Sequence, residues 1–298
     1  MRLLWGCLCI LLLAACGRPA EKEYAPVLGA EPVQGVRELR VGIHPLHNPQ
    51  RLMEVYGPIV DHLNAAIPEA DIRLEASRNY EEYERKLYAG YFDFAMPNPY
   101  QTVMSLKHGY RVIAKMADDE DFRGLILVRR DGPVKTVADL KGLTVAYPAP
   151  TALAATLLPQ YFLQRQGLDV NRDIKNLYVG SQESSILSVQ RGHVAAAATW
   201  PLPWRAFSLE HPELAAQLEV RWQTETLQNN AWVVRKDVPE PLVQRFTVEL
   251  LALKDSEAGR LMLQRLPVSA FEAADDGTYE PVRRFLADFA RRVRPVEE

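Results

Sequence analysis

From residue 37 onward, short apolar runs alternate with longer stretches in which apolar side chains recur every three or four positions. LRVGI (39–43) predicts a first strand. The stripe Leu52, Val55, Tyr56, Ile59, Val60 and Leu63 predicts an amphipathic helix, with Pro58 marking a kink or a first turn. IRLEA (72–76) predicts a second strand, a Tyr-, Glu- and Lys-rich helix runs into Gly90, and FDFAM (92–96) predicts a third strand. A second set follows: a strand at 144–147, a helix from about 151 to 166, a strand at NLYV, a helix at SSILSVQRG and a strand at AAAAT ending at Trp200. LEVRW and AWVVR then lead into a helical tail, PLVQRFTVELLAL and EPVRRFLADFARRV. Strands alternating with helices point to α/β layers. The unit helix, glycine, strand, proline occurs in both KLYAGYFDFAMPNPY and VQRGHVAAAATWPLP, which predicts two similar lobes.

The architecture expected is therefore α/β and two-lobed, with a ligand cleft between the lobes and two hinge crossings. Lobe 1 takes residues 37–128 and 229–298, lobe 2 takes 129–228, and the helical tail is expected to cover the sheet of lobe 1. In such sheets ligands bind beyond the carboxyl ends of the strands, where loops and helix N-termini converge.

The N-terminal segment changes the setting. Arg2, an apolar run over 3–13 and the ending Leu13-Ala14-Ala15-Cys16 read as a signal peptide (1–15), and the run is too short to span a bilayer. All three cysteines, Cys7, Cys9 and Cys16, lie there, so disulfides, thiolate metal sites and cysteine nucleophiles are excluded from the body of the protein. Residues 16–36, rich in Pro, Gly, Ala and Glu, read as a flexible tether reaching roughly 25 Å. The formal net charge of -3 gives no electrostatic footprint for nucleic acid.

Polar and aromatic residues at strand ends are the candidates for ligand contact. His44 and His47 follow the first strand, Tyr80 the second with Arg78 close by, and Asn98 and Tyr100 the third. Trp200 ends the AAAAT strand, and Asn229 and Asn230 precede AWVVR. The turn YPAPTALAATLLP (147–159) leads into a helix at Thr151, where first-turn amides and the helix dipole favour an anion; a capping threonine would serve the same place. His44 and His47 are half of a metal site at most, and no metal or cofactor is expected. Nucleophile-elbow, phosphate-loop, dinucleotide and His-Glu-x-x-His motifs are missing, so no catalysis is expected. The acidic run 118–121 reads as a solvated loop.

Several stretches, in this order, carry a resemblance: VGIHPLHNPQRL, NYEEYERKLYAGYFDFAMPNPYQTV, VRRDGPVKTVADLKGLTVAYPAPT, LLPQYFLQRQGLD, VGSQESSILSVQRGHVAAA and NNAWVVRKDVPEPLVQRF. Together they resemble the phosphate/phosphite/phosphonate-binding proteins of ABC importers, a family with the type II periplasmic binding protein fold. The Leu-Ala-Ala-Cys ending likewise resembles a bacterial lipobox, which implies lipidation of Cys16 and an extracytoplasmic, membrane-anchored protein. The resemblance implies an oxyanion held at Thr151 and Ala152, where the family usually has further hydroxyls and a glycine, and at Gln182, where the family commonly has histidine. It also places Ala195 where aminophosphonate binders tend to have aspartate, with Asp93 at the corresponding position of the first lobe in what reads as a structural role. The partners implied are a small-molecule ligand, oxyanion or organic, and either an ABC permease or a membrane sensor kinase, with the protein itself a monomer.

Overall fold

The computed structural model describes residues 36–296; the signal peptide, Cys16 and the tether expected up to residue 36 lie outside the described residues, apart from residue 36 itself. Strand β1 (Arg37–Ile43), helix α1 (Pro49–Ala66) and strand β2 (Ala70–Ala76) form a parallel βαβ unit. Asn48 caps α1 by accepting from the Arg51 amide, Pro49 fits the first turn, and the helix runs on through Pro58. Helix α2 (Tyr80–Tyr88) leads to β3 (Phe94–Met96), which pairs with the other side of β1. β1 is thus an interior strand and buries Val41, Gly42 and Ile43 in succession. Gly42 is required there, because a Cβ would lie 2.6 Å from the Phe92 ring. Helix α3 (Pro99–Lys107) and β4 (Tyr110–Met116) complete the first pass.

The chain then enters a second sheet with β5 (Arg123–Arg129) and β6 (Thr144–Tyr147). A helical stretch ending in α4 (Leu158–Arg165), strand β7 (Lys175–Tyr178), α5 (Gln182–Gln190) and β8 (Ala196–Thr199) follow. Helices α6 (Pro201–Glu210) and α7 (Pro212–Ala215) lead to β9 (Leu218–Thr226). The chain returns through β10 (Ala231–Arg235), α8 (Glu240–Ala252), α9 (Glu257–Arg265), β11 (Phe271–Ala273) and α10 (Glu280–Arg292). The sheet orders are β11-β4-β10-β3-β1-β2 and β7-β6-β8-β5-β9. In the first core Phe94 stacks on Phe246 at 3.9 Å between ring centroids, and Trp232 meets Phe246 edge-on. Among the described residues no helix is long and apolar enough to cross a membrane.

Two expectations need correction. The apolar run 125–128 is a strand, but its partners are β8 and β9, so a boundary at residue 128 would cut the second sheet. The crossings are 117–122 and 227–230. Hydrophobic periodicity identifies a strand and carries no information about which sheet receives it. The acidic run 118–121 is consequently part of the first crossing, and three of its side chains are held in place. Asp118 accepts from the Ser269 amide and hydroxyl, Asp119 from the buried Lys115 and the Asn229 amide, and Asp121 is gripped by both terminal nitrogens of Arg205.

The helical tail also does more than cover lobe 1. α8 packs on β4 and β11, whereas α10 packs against both α3 and α4. Tyr161 donates to Asp288, Asn171 donates to the Val293 carbonyl at 2.6 Å, and Arg294 donates to the Pro150 carbonyl at 2.9 Å. The C-terminal segment is therefore tied to the second lobe directly behind the turn at 148–152.

Candidate functional site

Strand direction brings the candidate residues to two facing edges. β1, β2 and β3 run parallel, and β10 starts beside the end of β3, with Val233 opposite Ala95. His44, Ser77, Asn98 and Asn230 therefore emerge at one edge. In the second sheet β6, β7 and β8 are parallel and Leu125 of β5 lies opposite Thr199, so the turn at 148–152, Ser181 and Trp200 share the other edge.

On the first wall, Asn79 caps α2 by accepting from the Glu82 amide, which fixes Tyr80 as its first residue. Tyr80 and Glu84, four apart, lie on one face of that helix. The Tyr80 hydroxyl accepts from Gln182 Nε2 at 3.4 Å, and the Glu84 carboxylate accepts from the Thr151 hydroxyl and from Gln101 Nε2 at 2.9 Å. Asn98 forms a capping box with Gln101 at the start of α3, and its Nδ2 donates to the Thr151 carbonyl at 3.2 Å. The two lobes thus meet in a small set of polar contacts. Beside them a groove separates His47, Asn48 and Arg51 from Glu183, Phe207 and Glu210.

The second wall does not begin as the α-helix expected at Thr151. Residues Leu153–Leu157 are π-helical: the Thr156 and Leu157 amides both donate to the Ala152 carbonyl, at 2.8 and 3.2 Å, and the Leu158 amide donates to Leu153. Pro159 explains this, since it lacks the amide that an α-helix would pair with the carbonyl of Ala155. The amides of Leu153, Ala154 and Ala155 precede the first intrahelical bond and are the free donors of this terminus. Thr156 pins the turn by donating to the Ala149 carbonyl at 2.7 Å. Gly124 of β5 lets the turn approach the sheet, because a Cβ there would lie 2.7 Å from the Ala154 carbonyl oxygen and from the Pro159 ring. Gln182 is fixed by the Ser181 cap and by accepting from the Thr199 hydroxyl at 2.9 Å.

Protonation states follow from burial and partners. His44 is 2% exposed, and burial presses its pKa down from 6.5 to about 4, partly opposed by the Met96 carbonyl. A carbonyl only accepts, so the Nδ1 atom at 3.0 Å from it carries the proton and Nε2 is bare. His47 falls to about 4 through burial and the nearby Arg51 charge. Burial pushes the Tyr80 phenol well above its ordinary value, so it keeps its proton. Tyr80 accepts from Gln182 and retains that hydrogen to give.

The remaining candidates sit at the edges of this arrangement. Tyr100 is buried in the first turn of α3. Trp200 packs on Phe122 of the first crossing, with ring centroids 5.4 Å apart. Asn229 spans both crossings by donating to the Ala117 carbonyl at 2.9 Å, and Asn230 is buried against Met116. Arg78 is turned away, paired with Glu82. Ala195 and Asp93 precede β8 and β3 and lie at the strand ends remote from the cleft, where Asp93 binds the Arg40 amide and Arg235. The cleft end of β8 is Thr199, so the carboxylate position that the resemblance placed at 195 does not face the ligand side. Among the described residues no group of three or more His, Cys, Asp or Glu could hold a metal.

Residues 41–279 match the family described as ABC transporter, phosphonate, periplasmic substrate-binding protein. The chain belongs to that family. A curated relative, the probable ABC transporter phosphite binding protein PhnD1 of Prochlorococcus marinus strain MIT 9301, is 24% identical over 147 residues. The match covers 47% of this chain and 50% of that relative, so the chain spans about half the length of the curated relative it matches. A binding protein component of an ABC phosphonate transporter from Pseudomonas aeruginosa superposes with a TM-score of 0.79 at 18% identity, covering 86% of this chain and 88% of that one. PhnD1 of Prochlorococcus marinus in complex with methylphosphonate gives 0.77 at 18% identity, covering 86% and 99%. The two-lobed α/β architecture is therefore the type II periplasmic binding protein fold.

Glu84 and Thr199 escaped the sequence reading. Glu84 carried a usable signal: it stands one helical turn after Tyr80, on the face of a helix whose start follows a strand end.

Proposed function

We propose that this protein captures a phosphorus oxyanion of the phosphonate type between its lobes and delivers it unchanged to a membrane permease. The observation that carries this reading is the turn at 148–157. Three first-turn amides of buried residues, backed by a helical segment running to residue 165, stand at one edge of the cleft, and the Tyr80 hydroxyl, which has a hydrogen to donate, reaches Gln182 from the other. The ligand of the Prochlorococcus relative, methylphosphonate, is compact enough to suit a turn whose other side chains are alanine and leucine. Cys16, lipidated, would hold the protein to a membrane on its extracytoplasmic side, as a monomer. Cys16→Ser should then release it from membrane fractions.

The test is a thermal-shift panel of methylphosphonate, phosphite, phosphate and neutral sugars, because a ligand that binds only the folded state raises the melting point. Methylphosphonate or phosphite should raise it. Tyr80→Phe should weaken that ligand about tenfold or more, the usual consequence of losing a hydrogen bond to a charged group. Stabilisation by a sugar and by no phosphorus oxyanion would refute the reading.

A further inference from the structure

Four successive carbonyls at the start of the second wall are each taken by a donor. The Thr156 hydroxyl donates to the Ala149 carbonyl at 2.7 Å, and the Ala152 carbonyl accepts the Thr156 and Leu157 amides. The Thr151 carbonyl accepts from Asn98 of lobe 1 at 3.2 Å. The Pro150 carbonyl accepts at 2.9 Å from Arg294, in the segment that follows α10. Arg294 also donates through Nε to Gln160 of α4 at 3.3 Å, and its guanidinium lies 5.4 Å from the centre of the Phe289 ring. Gln160 is fixed in turn, donating to Asn176 and to the Tyr178 hydroxyl of β7 at 3.1 and 3.3 Å. One guanidinium therefore joins the two flanks, 150 and 160, of the π-helical stretch whose first amides are free. Its charge reaches the end of β6 as well: burial raises the Tyr147 phenol, and Arg294 opposes part of that rise.

The direction of the Pro150 carbonyl decides what the Thr151 amide can do. In a planar trans peptide the carbonyl and the following N–H point in opposite directions, and the Pro150–Thr151 peptide is trans. With the Pro150 carbonyl drawn to Arg294, the Thr151 N–H is turned away from the C-terminal segment, and among the described residues none accepts from it. We propose that Arg294 is a positioning residue of the anion site: by fixing the Pro150–Thr151 peptide it adds the Thr151 amide to the donors of 153–155. This rests on the reading of the turn as a phosphorus-oxyanion site. A backbone amide bonds an ionised oxygen about twice as strongly as a neutral one, so the orientation of one peptide carries weight there. Without Arg294 that peptide is free to rotate, and a carbonyl turned toward an oxyanion repels it where the amide attracted it.

The experiment is calorimetric titration of the full chain, of Arg294→Met and of Tyr161→Phe with methylphosphonate and phosphite, paired with nitrogen-15 amide spectra in which Thr151 is assigned. In the wild type, saturation with ligand should move the Thr151 amide proton downfield. Arg294→Met keeps an apolar stem to pack on Phe289 but cannot donate to Pro150. It should bind about three- to tenfold more weakly and lose most of the Thr151 shift. Tyr161→Phe removes a different tie between α4 and α10, the bond to Asp288, and should keep the wild-type affinity and shift. That variant separates the peptide's orientation from a general loosening of the C-terminal segment. A wild type that binds without moving the Thr151 amide overturns the role of Arg294 and leaves the reading of the cleft standing. So does an Arg294→Met protein that keeps either the affinity or the shift, and so does a Tyr161→Phe protein as weak as Arg294→Met. A wild type that binds neither methylphosphonate nor phosphite overturns the reading of the turn itself, and the role of Arg294 with it.

Discussion

Acidification should destabilise this protein through His44 over a defined window. The ring is buried at the end of β1, donates to the Met96 carbonyl, and meets the rings of Tyr80 and Tyr83 edge-on at 6.2 and 6.4 Å. Burial holds its pKa near 4, against 6.5 for an exposed imidazole. As pH falls below 6.5 the unfolded chain takes up a proton that the folded protein refuses until about pH 4. The contribution is therefore fully present above pH 6.5 and is lost through that window. Linkage with these two values gives a loss of about 2 kcal/mol at pH 5 and about 3 kcal/mol at pH 4. The assay is urea unfolding of the wild type and His44→Asn at pH 7.5, 5 and 4; asparagine can still donate to Met96 but does not titrate. His47 is depressed in the same sense and remains in both proteins, so the difference between the two stability curves isolates His44. The variant should lose less stability by about the amounts given. Stability curves that fall in parallel would refute the buried, neutral His44 and with it the assignment of Nε2 as an acceptor.

Two further perturbations probe the jaw and the hinge. Gly124→Ala drives a methyl into the Ala154 carbonyl and the Pro159 ring, and should cost about 1–3 kcal/mol in chemical denaturation while lowering ligand affinity by displacing the turn. Asp119→Ala removes the acceptor shared by Lys115 of β4 and the Asn229 amide of the second crossing. Because Asp119 is partly exposed and Lys115 keeps Glu272, the stability cost should be about 1–2 kcal/mol, and a fluorophore pair across the lobes should report a wider spread of interlobe distances.

Strand and helix identity was legible because each element announces itself locally. Alternating apolar runs gave β1, β2, β8 and β10, and the stripe from Leu52 to Leu63 gave α1. Sheet membership was not legible, since β5 reads as an apolar run wherever it pairs. The acidic run 118–121 misled for a related reason: charge predicts solvent, and the partners that organise it, Lys115, Arg205, Asn229 and Ser269, lie up to 151 residues away in sequence. Strand-end placement put Tyr80 and Asn98 on one edge and Thr151 and Gln182 on the other, and Asn98 meets Thr151 and Tyr80 meets Gln182 because parallel strands deliver their carboxyl ends to one edge. It did not show that the Thr151 hydrogen is already committed to Glu84, a fact set by the approach of two lobes and by no local pattern.

Calorimetric titration of the purified protein with methylphosphonate tests the central claim most directly. Saturable one-site binding that weakens about tenfold or more in Tyr80→Phe is the expected result. A folded protein that gives no binding heat with methylphosphonate, phosphite or phosphate, across temperatures that rule out a chance zero in enthalpy, would contradict it.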